Sequence, residues 1–187
     1  MTWEELEAGC EGCEKCALGQ TRTKCVVGCG SKKTGGLMFV GEAPGEEEDK
    51  TGVPFVGRAG KLFDKFLTAV DIDRESVYIA NMLKCRPPRN RDPLPEEQDL
   101  CIEWLREQTR LLRPKIIVCL GRISAMRLIK PDFRITQEHG RWFEKGNIHM
   151  CALYHPSLLL RDPRKKDDML IDMKALREKC GELGVEL

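Results

Sequence analysis

The chain has 187 residues, of which 41% are hydrophobic and 33% are charged, and its formal net charge is +1. This composition is typical of a soluble globular domain, and no apolar run approaches the ~20 residues that a transmembrane helix needs. The nearly balanced charge excludes a uniformly basic surface, so any site for a polyanion has to be local.

The amino terminus and the cysteines indicate the compartment. The first ten residues, MTWEELEAGC, lack a basic stretch followed by an apolar one, so we expect no signal peptide and a cytoplasmic protein. Ten cysteines are many for a chain of this length, and disulfides are rare in the cytoplasm. A spaced subset of the cysteines is therefore predicted to bind a metal ion or an iron–sulfur cluster.

Four short apolar runs are predicted to be buried strands, and helical patterns lie between them. The strands are Leu37–Gly41, Val77–Leu83, Lys115–Gly121 and Ile148–Tyr154, and the helices are Arg58–Val70, Pro95–Leu112, Arg122–Leu128 and Lys165–Cys180. The strands lack clean alternation, as expected for parallel strands that are covered on both faces. This order predicts one α/β domain over residues 1–187, with its site at the carboxyl ends of the strands.

Two segments rich in glycine and proline follow the first strand. They are GEAPG (41–45) and GVPFVGRAG (52–60), and both allow tight turns and a close approach of the backbone to a ligand. Phe55 lies between Pro54 and a glycine-bearing turn. Such a residue is either a stacking platform for a ligand or, more commonly, an anchor in the core.

Two polar residues mark the ends of other predicted strands. Asn81 offers a donor and an acceptor side by side, which matches the edge of a nucleobase, although a buried Asn more often serves the structure. His155 precedes Pro156 at the end of the fourth strand, and Ser157 is a candidate cap for a short helix.

The basic residues form two clusters in loops, KCRPPRNR (84–91) and LRDPRKK (160–166). They are either solvated loops or contacts to phosphate groups. Four cysteines are spaced for a cluster or for zinc, namely Cys13, Cys16, Cys85 and Cys101. The spacing alone does not decide between the two, and Cys10, Cys25 and Cys29 are competing ligands.

Five segments together form a family signature: CEKCAL (13–18), GEAPGEEEDKTGVPFVGRAGKLF (41–63), NMLKCRPPRNRDPLPEEQDLC (81–101), KIIVCLG (115–121) and HPSLLLRDPRKK (155–166). In this order they closely resemble the family-4 uracil-DNA glycosylases of bacteria and archaea. The resemblance implies a three-layer α/β/α sandwich with a four-stranded parallel sheet. It also implies a [4Fe–4S] cluster on Cys13, Cys16, Cys85 and Cys101, which ties in the N-terminal segment.

The same resemblance implies the site residues. Glu42 and His155 are the expected catalytic residues, and the expected uracil-binding residues are Gly41, Ala43, Glu48, Phe55 and Asn81. Phe55 would stack on the flipped base, Asn81 would bond its O4 and N3 edge, and Glu48 would wall off C5. The expected DNA contacts are Arg86, Arg89, Asn90, Arg91, Ser157, Leu159 and Arg161, with the Leu158–Leu160 loop as a wedge between bases.

The implied function is hydrolysis of the N-glycosidic bond of a flipped-out deoxyuridine in single- or double-stranded DNA, which leaves an abasic site for base excision repair. Ala43 replaces the Asp of family-1 enzymes, so Glu42 and Asn90 are the candidates for activating water. We expect a monomer, and the sequence assigns no partner protein such as a sliding clamp.

Three alternatives differ in chemistry. A relative that traps the abasic product covalently carries a reactive His in a basic insert near residues 86–92, where this chain has RPPRNRD without His. A non-catalytic iron–sulfur DNA-binding module would have no need of Phe55, Asn81 and His155. A glycosylase with broadened specificity would also accept bases such as hypoxanthine.

Overall fold

The computed structural model describes residues 1–187 and contains a six-stranded sheet in the order β1–β3–β2–β4–β6–β5. The strands are β1 Cys29–Gly30, β2 Leu37–Gly41, β3 Tyr78–Asn81, β4 Ile116–Leu120, β5 Phe143–Lys145 and β6 Ile148–Leu153. The four inner strands are parallel, and both edge strands are antiparallel to their neighbours. The expected four-stranded sheet is therefore the centre of a mixed sheet. The edge strands, of two and three residues, are too short to show a pattern in the sequence.

Nine α-helices surround the sheet: α1 Trp3–Glu11, α2 Leu18–Thr21, α3 Glu46–Thr51, α4 Arg58–Ala69, α5 Pro95–Leu112, α6 Arg122–Leu128, α7 Ile135–Glu138, α8 Pro156–Arg161 and α9 Lys166–Glu182. The bounds predicted for α5 and α6 are confirmed to the residue. In α5 this follows from Pro95 at the first position and two acidic residues in the first turn. None of the helices has the length and apolarity that a membrane crossing requires.

The helices cover both faces of the sheet and bury two cores. Alternate strand residues point to opposite faces, so Phe39 and Val118 join the side chains of α4 and α9 in a core of 22 buried residues. Met38 and Val40 join those of α5 and α6 in a core of 15. This arrangement is the predicted α/β/α sandwich.

The N-terminal segment packs beside α5. Leu6 and Cys10 of α1 are buried against Trp104 of α5. The side chain of Thr2 accepts a hydrogen bond from Glu5 N, and Glu5 bonds back to Thr2 N, so a capping box begins α1. These contacts bring the cysteines of residues 10–16 to the helix that carries Cys101.

Candidate active site

A cavity of about 540 Å³ opens at the edge of the sheet where the four parallel strands end. It brings together segments that are far apart in the sequence, as expected for the switch region of a parallel sheet. Ten of the predicted site residues line it: Glu42, Ala43, Glu48, Phe55, Asn81, Asn90, Arg91, His155, Ser157 and Arg161. Tyr154, Gly121 and Arg122 also line it and were not predicted.

Asn81 is the buried polar group of this cavity. Its side chain is 2% exposed, and its Oδ1 atom has no hydrogen-bond partner. An unpaired buried acceptor costs about 1–3 kcal/mol, and such groups are rare in folded proteins. The structure thus keeps an acceptor free for a ligand that carries an N–H or O–H donor.

Gly41 lies between the side chains of Phe55 and Asn81 and allows them to approach each other. A Cβ atom at position 41 would lie 2.3 Å from Asn81 Oδ1 and 2.6 Å from Phe55 Cζ. Both distances are shorter than any van der Waals contact, so only glycine fits between these two side chains.

Phe55 has both of the roles that the sequence left open. It is 5% exposed and belongs to the core beside Phe63, yet its ring also lines the cavity. Its ring centroid lies 5.7 Å from that of His155, with 34° between the ring planes. Its backbone is left-handed, at φ 52°, a conformation that is uncommon for a residue other than glycine.

Neighbouring side chains hold the loop of Phe55 in this strained conformation. Arg74 Nη1 donates to Phe55 O at 3.0 Å and Arg74 Nη2 donates to Pro54 O at 2.5 Å. Glu48 Oε1 accepts from Val56 N and Gly57 N, both at 3.0 Å. Glu48 thus fixes the loop, and its predicted role at uracil C5 stays a prediction. Sequence reasoning missed Arg74, because nothing local links it to a turn 19 residues away.

His155 is a neutral donor in this site. Burial, with a smaller contribution from Arg161, lowers the pKa of His155 to about 4, and Glu48 opposes the shift. Its Nδ1 atom accepts from Ser157 N at 3.1 Å, which leaves the ring proton on Nε2. His155 is therefore the cap of α8, and the assignment of that role to Ser157 was wrong.

Glu42 titrates near neutrality. Burial, with a smaller contribution from Asp92, raises the pKa of the Glu42 carboxyl to about 7, and Arg122 opposes the shift. The other candidate for activating water, Asn90, is exposed, and its Oδ1 accepts from Arg86 Nε at 2.7 Å. Both residues line the cavity, but Glu42 is the better candidate for the base, because its carboxyl titrates near physiological pH and the amide of Asn90 does not.

The predicted DNA contacts differ in whether their side chains are accessible. Arg89 and Arg161 are exposed, whereas both amino groups of Arg91 bond to Glu97 at 2.6 and 2.9 Å. Leu159 is fully buried in the core, so its assignment as a DNA contact was wrong. The predicted Leu158–Leu160 loop is part of helix α8, whose Pro156 at the first position starts a helical turn. Leu160, which is 38% exposed, is the accessible leucine of this helix.

A second, small cavity gathers the predicted ligand cysteines. Cys13, Cys16, Cys85 and Cys101 line it together, beside Cys10. Three N–H groups point at these sulfurs: Arg22 Nη1 to Cys85 at 3.0 Å, Lys84 N to Cys101 at 3.3 Å and Trp104 Nε1 to Cys13 at 3.4 Å. Such bonds stabilise thiolates and tune iron–sulfur clusters.

The chemistry of this donor set, four thiols with three N–H donors directed at them, fits the iron–sulfur cluster that the resemblance implied. No three His, Cys, Asp or Glu side chains converge closely enough to hold one metal ion. Of the competing cysteines, Cys29 lies on β1 and does not line this cavity.

Comparison with known proteins agrees with the geometry. The sequence model described as the Uracil DNA glycosylase superfamily matches residues 28–176. The chain belongs to this superfamily. Among curated members, it is 43% identical over 180 residues to a type-4 uracil-DNA glycosylase of Archaeoglobus fulgidus, covering 91% of this chain and 89% of that protein.

Two further type-4 uracil-DNA glycosylases agree. The one of Thermotoga maritima is 46% identical over 154 residues, which covers 80% of this chain and 79% of that protein. The one of Sulfurisphaera tokodaii is 40% identical over 184 residues, which covers 94% and 83%. The predicted membership in the type-4 branch of the uracil DNA glycosylase superfamily is confirmed.

Proposed function

We propose that this chain is a uracil-DNA glycosylase that hydrolyses the N-glycosidic bond of a flipped-out deoxyuridine. The observation that carries the proposal is the free, buried Oδ1 atom of Asn81 in the cavity at the strand ends. Uracil N3–H is a donor for this acceptor, whereas N3 of cytosine carries no proton in the neutral base. The amide thereby selects uracil, and the ring of Phe55 provides the stacking wall.

The substrate has to leave the helix to reach this cavity. Flipping costs a few kcal/mol, and less at a mismatch or in a single strand. A volume of about 540 Å³ is in the range of small-ligand sites and accommodates a nucleoside. Arg161 is exposed and lines the cavity, and Arg89 is exposed next to Asn90, which lines it. Both would contact phosphates, which fix register rather than sequence. Leu160 would enter the gap that the base leaves.

Bond cleavage leaves negative charge on uracil O2 and positive charge on the sugar. His155 is neutral and carries its proton on Nε2, so it is suited to donate to O2 as the charge develops. Removing one such donor typically costs about 10²–10³ in rate. Glu42 in its carboxylate form would stabilise the sugar cation and accept a proton from the attacking water.

The cysteines of the second cavity would hold a [4Fe–4S] cluster as a structural group. Cys13 and Cys16 follow α1, Cys85 follows β3, and Cys101 lies in α5. The bound group would join these three parts of the chain by covalent bonds to sulfur. We further infer that the protein is a single domain that acts as a cytoplasmic monomer on DNA in base excision repair.

The test is excision from oligonucleotides that differ only in the target, namely U·G, U·A, single-stranded U, T·G and hypoxanthine, followed by alkaline cleavage. Asn81→Ala and His155→Ala are compared with matched controls whose side chains do not line the cavity, Asn147→Ala and His149→Ala. Selective cleavage at uracil that only the first pair abolishes is the expected result.

The alternatives give different outcomes in the same assay. Broadened specificity would appear as cleavage at hypoxanthine, and covalent trapping as a protein–DNA adduct that survives denaturation. If cluster-loaded protein cleaves none of the uracil substrates, the proposed function is wrong and the binding-module alternative replaces it.

A further inference from the structure

Lys84 is buried between the two cavities. Its side chain is 1% exposed, although lysine is among the residues that are almost never fully buried. Its Nζ atom donates to Asn81 O and to Gln108 Oε1, both at 2.7 Å. Both acceptors are neutral amide oxygens, so neither compensates the positive charge. Burying an ammonium among neutral groups costs free energy. We therefore ask which role of Lys84 offsets this cost.

The two acceptors of Lys84 lie in different elements: Asn81 in strand β3 and Gln108 in helix α5. Asn81 ends β3 and carries the free acceptor of the pocket. Gln108 is fully buried and uses its other end as well, since its Nε2 donates to Val27 O at 2.8 Å and to the Tyr78 hydroxyl at 2.9 Å. A network with every member satisfied is rigid, so the ammonium fixes the end of β3 against α5.

The main chain of Lys84 is held from the side of the cysteines. Its N–H donates to Cys101 Sγ at 3.3 Å, and its carbonyl accepts from Val26 N at 2.8 Å. Cys85, the next residue, lines the same cavity as Cys101. On the pocket side, Met82 N donates to Gly41 O at 3.0 Å and Leu83 N donates to Glu42 O at 3.1 Å. Residues 81–85 thus run directly from the uracil pocket to the cluster cavity.

We propose that Lys84 is a positioning residue that couples the cluster cysteines to Asn81, so that the loaded cluster holds the uracil-reading amide in place. This inference rests on the proposed function. The cluster side fixes the backbone of residues 84 and 85, and the ammonium fixes the carbonyl of Asn81. Without the bond from Lys84 Nζ to Asn81 O, the peptide group between Asn81 and Met82 is no longer held on the side away from the pocket. The side-chain amide of Asn81 then loses its fixed position.

The test compares the holoenzymes of the wild type, Lys84→Met and a matched control, Lys174→Met, whose lysine is exposed on α9. All are purified without oxygen, and iron and sulfide are measured per chain. Two further readouts are amide hydrogen exchange in residues 78–84 against residues 148–153, and inhibition of excision by free uracil. We expect Lys84→Met to exchange faster in residues 78–84 only and to bind uracil about tenfold more weakly, with Lys174→Met unchanged. Unchanged exchange and unchanged uracil inhibition in Lys84→Met would overturn the inference.

A measurement on the wild-type chain tests the coupling even if Lys84→Met does not fold or does not bind the cluster. Iron is removed by a chelator, and exchange is compared before and after removal. Faster exchange in residues 78–84 alone supports the coupling. No change there, or an equal rise in residues 148–153, overturns it, because the cluster would then act on neither segment or on the whole fold. Exchange does not depend on catalysis, so a chain that releases no uracil would contradict the proposed function and leave this result intact.

Discussion

The guanidinium of Arg74 donates a hydrogen bond to the carbonyl oxygen of Phe55, with 3.0 Å between Nη1 and O. Its second amino group bonds to Pro54 O, and Asp64 accepts from Nη1 at 2.5 Å. This forked contact stabilises a left-handed phenylalanine that the chain would otherwise avoid. The aromatic wall of the pocket therefore depends on a residue outside it.

The first prediction concerns this contact. Arg74→Lys retains the charge but cannot make the forked bond, so we expect kcat/KM for uracil excision to fall about tenfold, mainly through KM. Arg177→Lys, at an exposed position of α9, is the control. Steady-state kinetics on a single-stranded substrate measure the effect. Equal kinetics for the two variants would show that the Phe55 loop holds itself.

The second prediction concerns Gly41. Gly41→Ala places a methyl group against Asn81 Oδ1 and Phe55 Cζ, and a displacement of this size costs about 100-fold in kcat/KM. The control is Gly181→Ala, where the new methyl group meets nothing within 4 Å and a helical glycine is replaced by a better helix former. Excision that survives in Gly41→Ala would mean that uracil binds elsewhere.

The third prediction concerns the pH dependence of excision. The carboxylate of Glu42 predominates above its pKa of about 7 and is lost as pH falls through that value. We therefore expect kcat to rise with pH between 6 and 8, with a midpoint of about 7. In Glu42→Gln the rate should be about 100-fold lower and this limb should disappear.

His155 sets the contrast for this pH profile. Its pKa of about 4 keeps it neutral throughout the range in which Glu42 titrates. His155→Ala should therefore lower the rate and retain the limb near pH 7. A limb that persists in Glu42→Gln would assign it to another group.

The fourth prediction separates the two neighbouring leucines. Leu159→Ala removes a fully buried side chain and should lower the free energy of unfolding by about 2–5 kcal/mol. Leu160→Ala changes an exposed side chain and should leave stability unchanged while slowing excision from duplex DNA more than from single strands. Denaturant unfolding and paired kinetics test both. A stable Leu160→Ala variant with normal duplex activity would exclude a wedge at this position.

The fifth prediction concerns the ligands of the cluster. Cys101→Ser should lose iron, because Cys101 lines the cavity with the other three cysteines. Cys29→Ser should keep it, because Cys29 pairs with Ile79 at the edge of the sheet. Iron and sulfide analysis of anaerobically purified protein distinguishes them. Equal iron in both variants would remove Cys101 from the ligand set.

Local patterns in the sequence determined much of this fold. The start of α5 follows from Pro95 and the acidic residues after it, and the inner strands follow from apolar runs that need no partner to be recognised. Asn81 and His155 were singled out as polar residues at the ends of predicted strands, and Phe55 was singled out by its place between Pro54 and a glycine-bearing turn. Gly41 was assigned to the site through the family resemblance. In each case the signal lies within a few residues, where covalent geometry and periodicity act.

Only the tertiary structure decided the rest. The edge strands β1 and β5 exist because neighbouring strands supply their hydrogen bonds, and Leu159 and Leu160 differ only in which way the helix turns against the core. Arg22 meets Cys85 across 63 residues and Gln108 meets Val27 across 81. Contacts of this kind form only when the chain packs, and the sequence around one partner does not indicate the other. The sequence by itself determined the chemical groups of the site, and packing decided which of them meet.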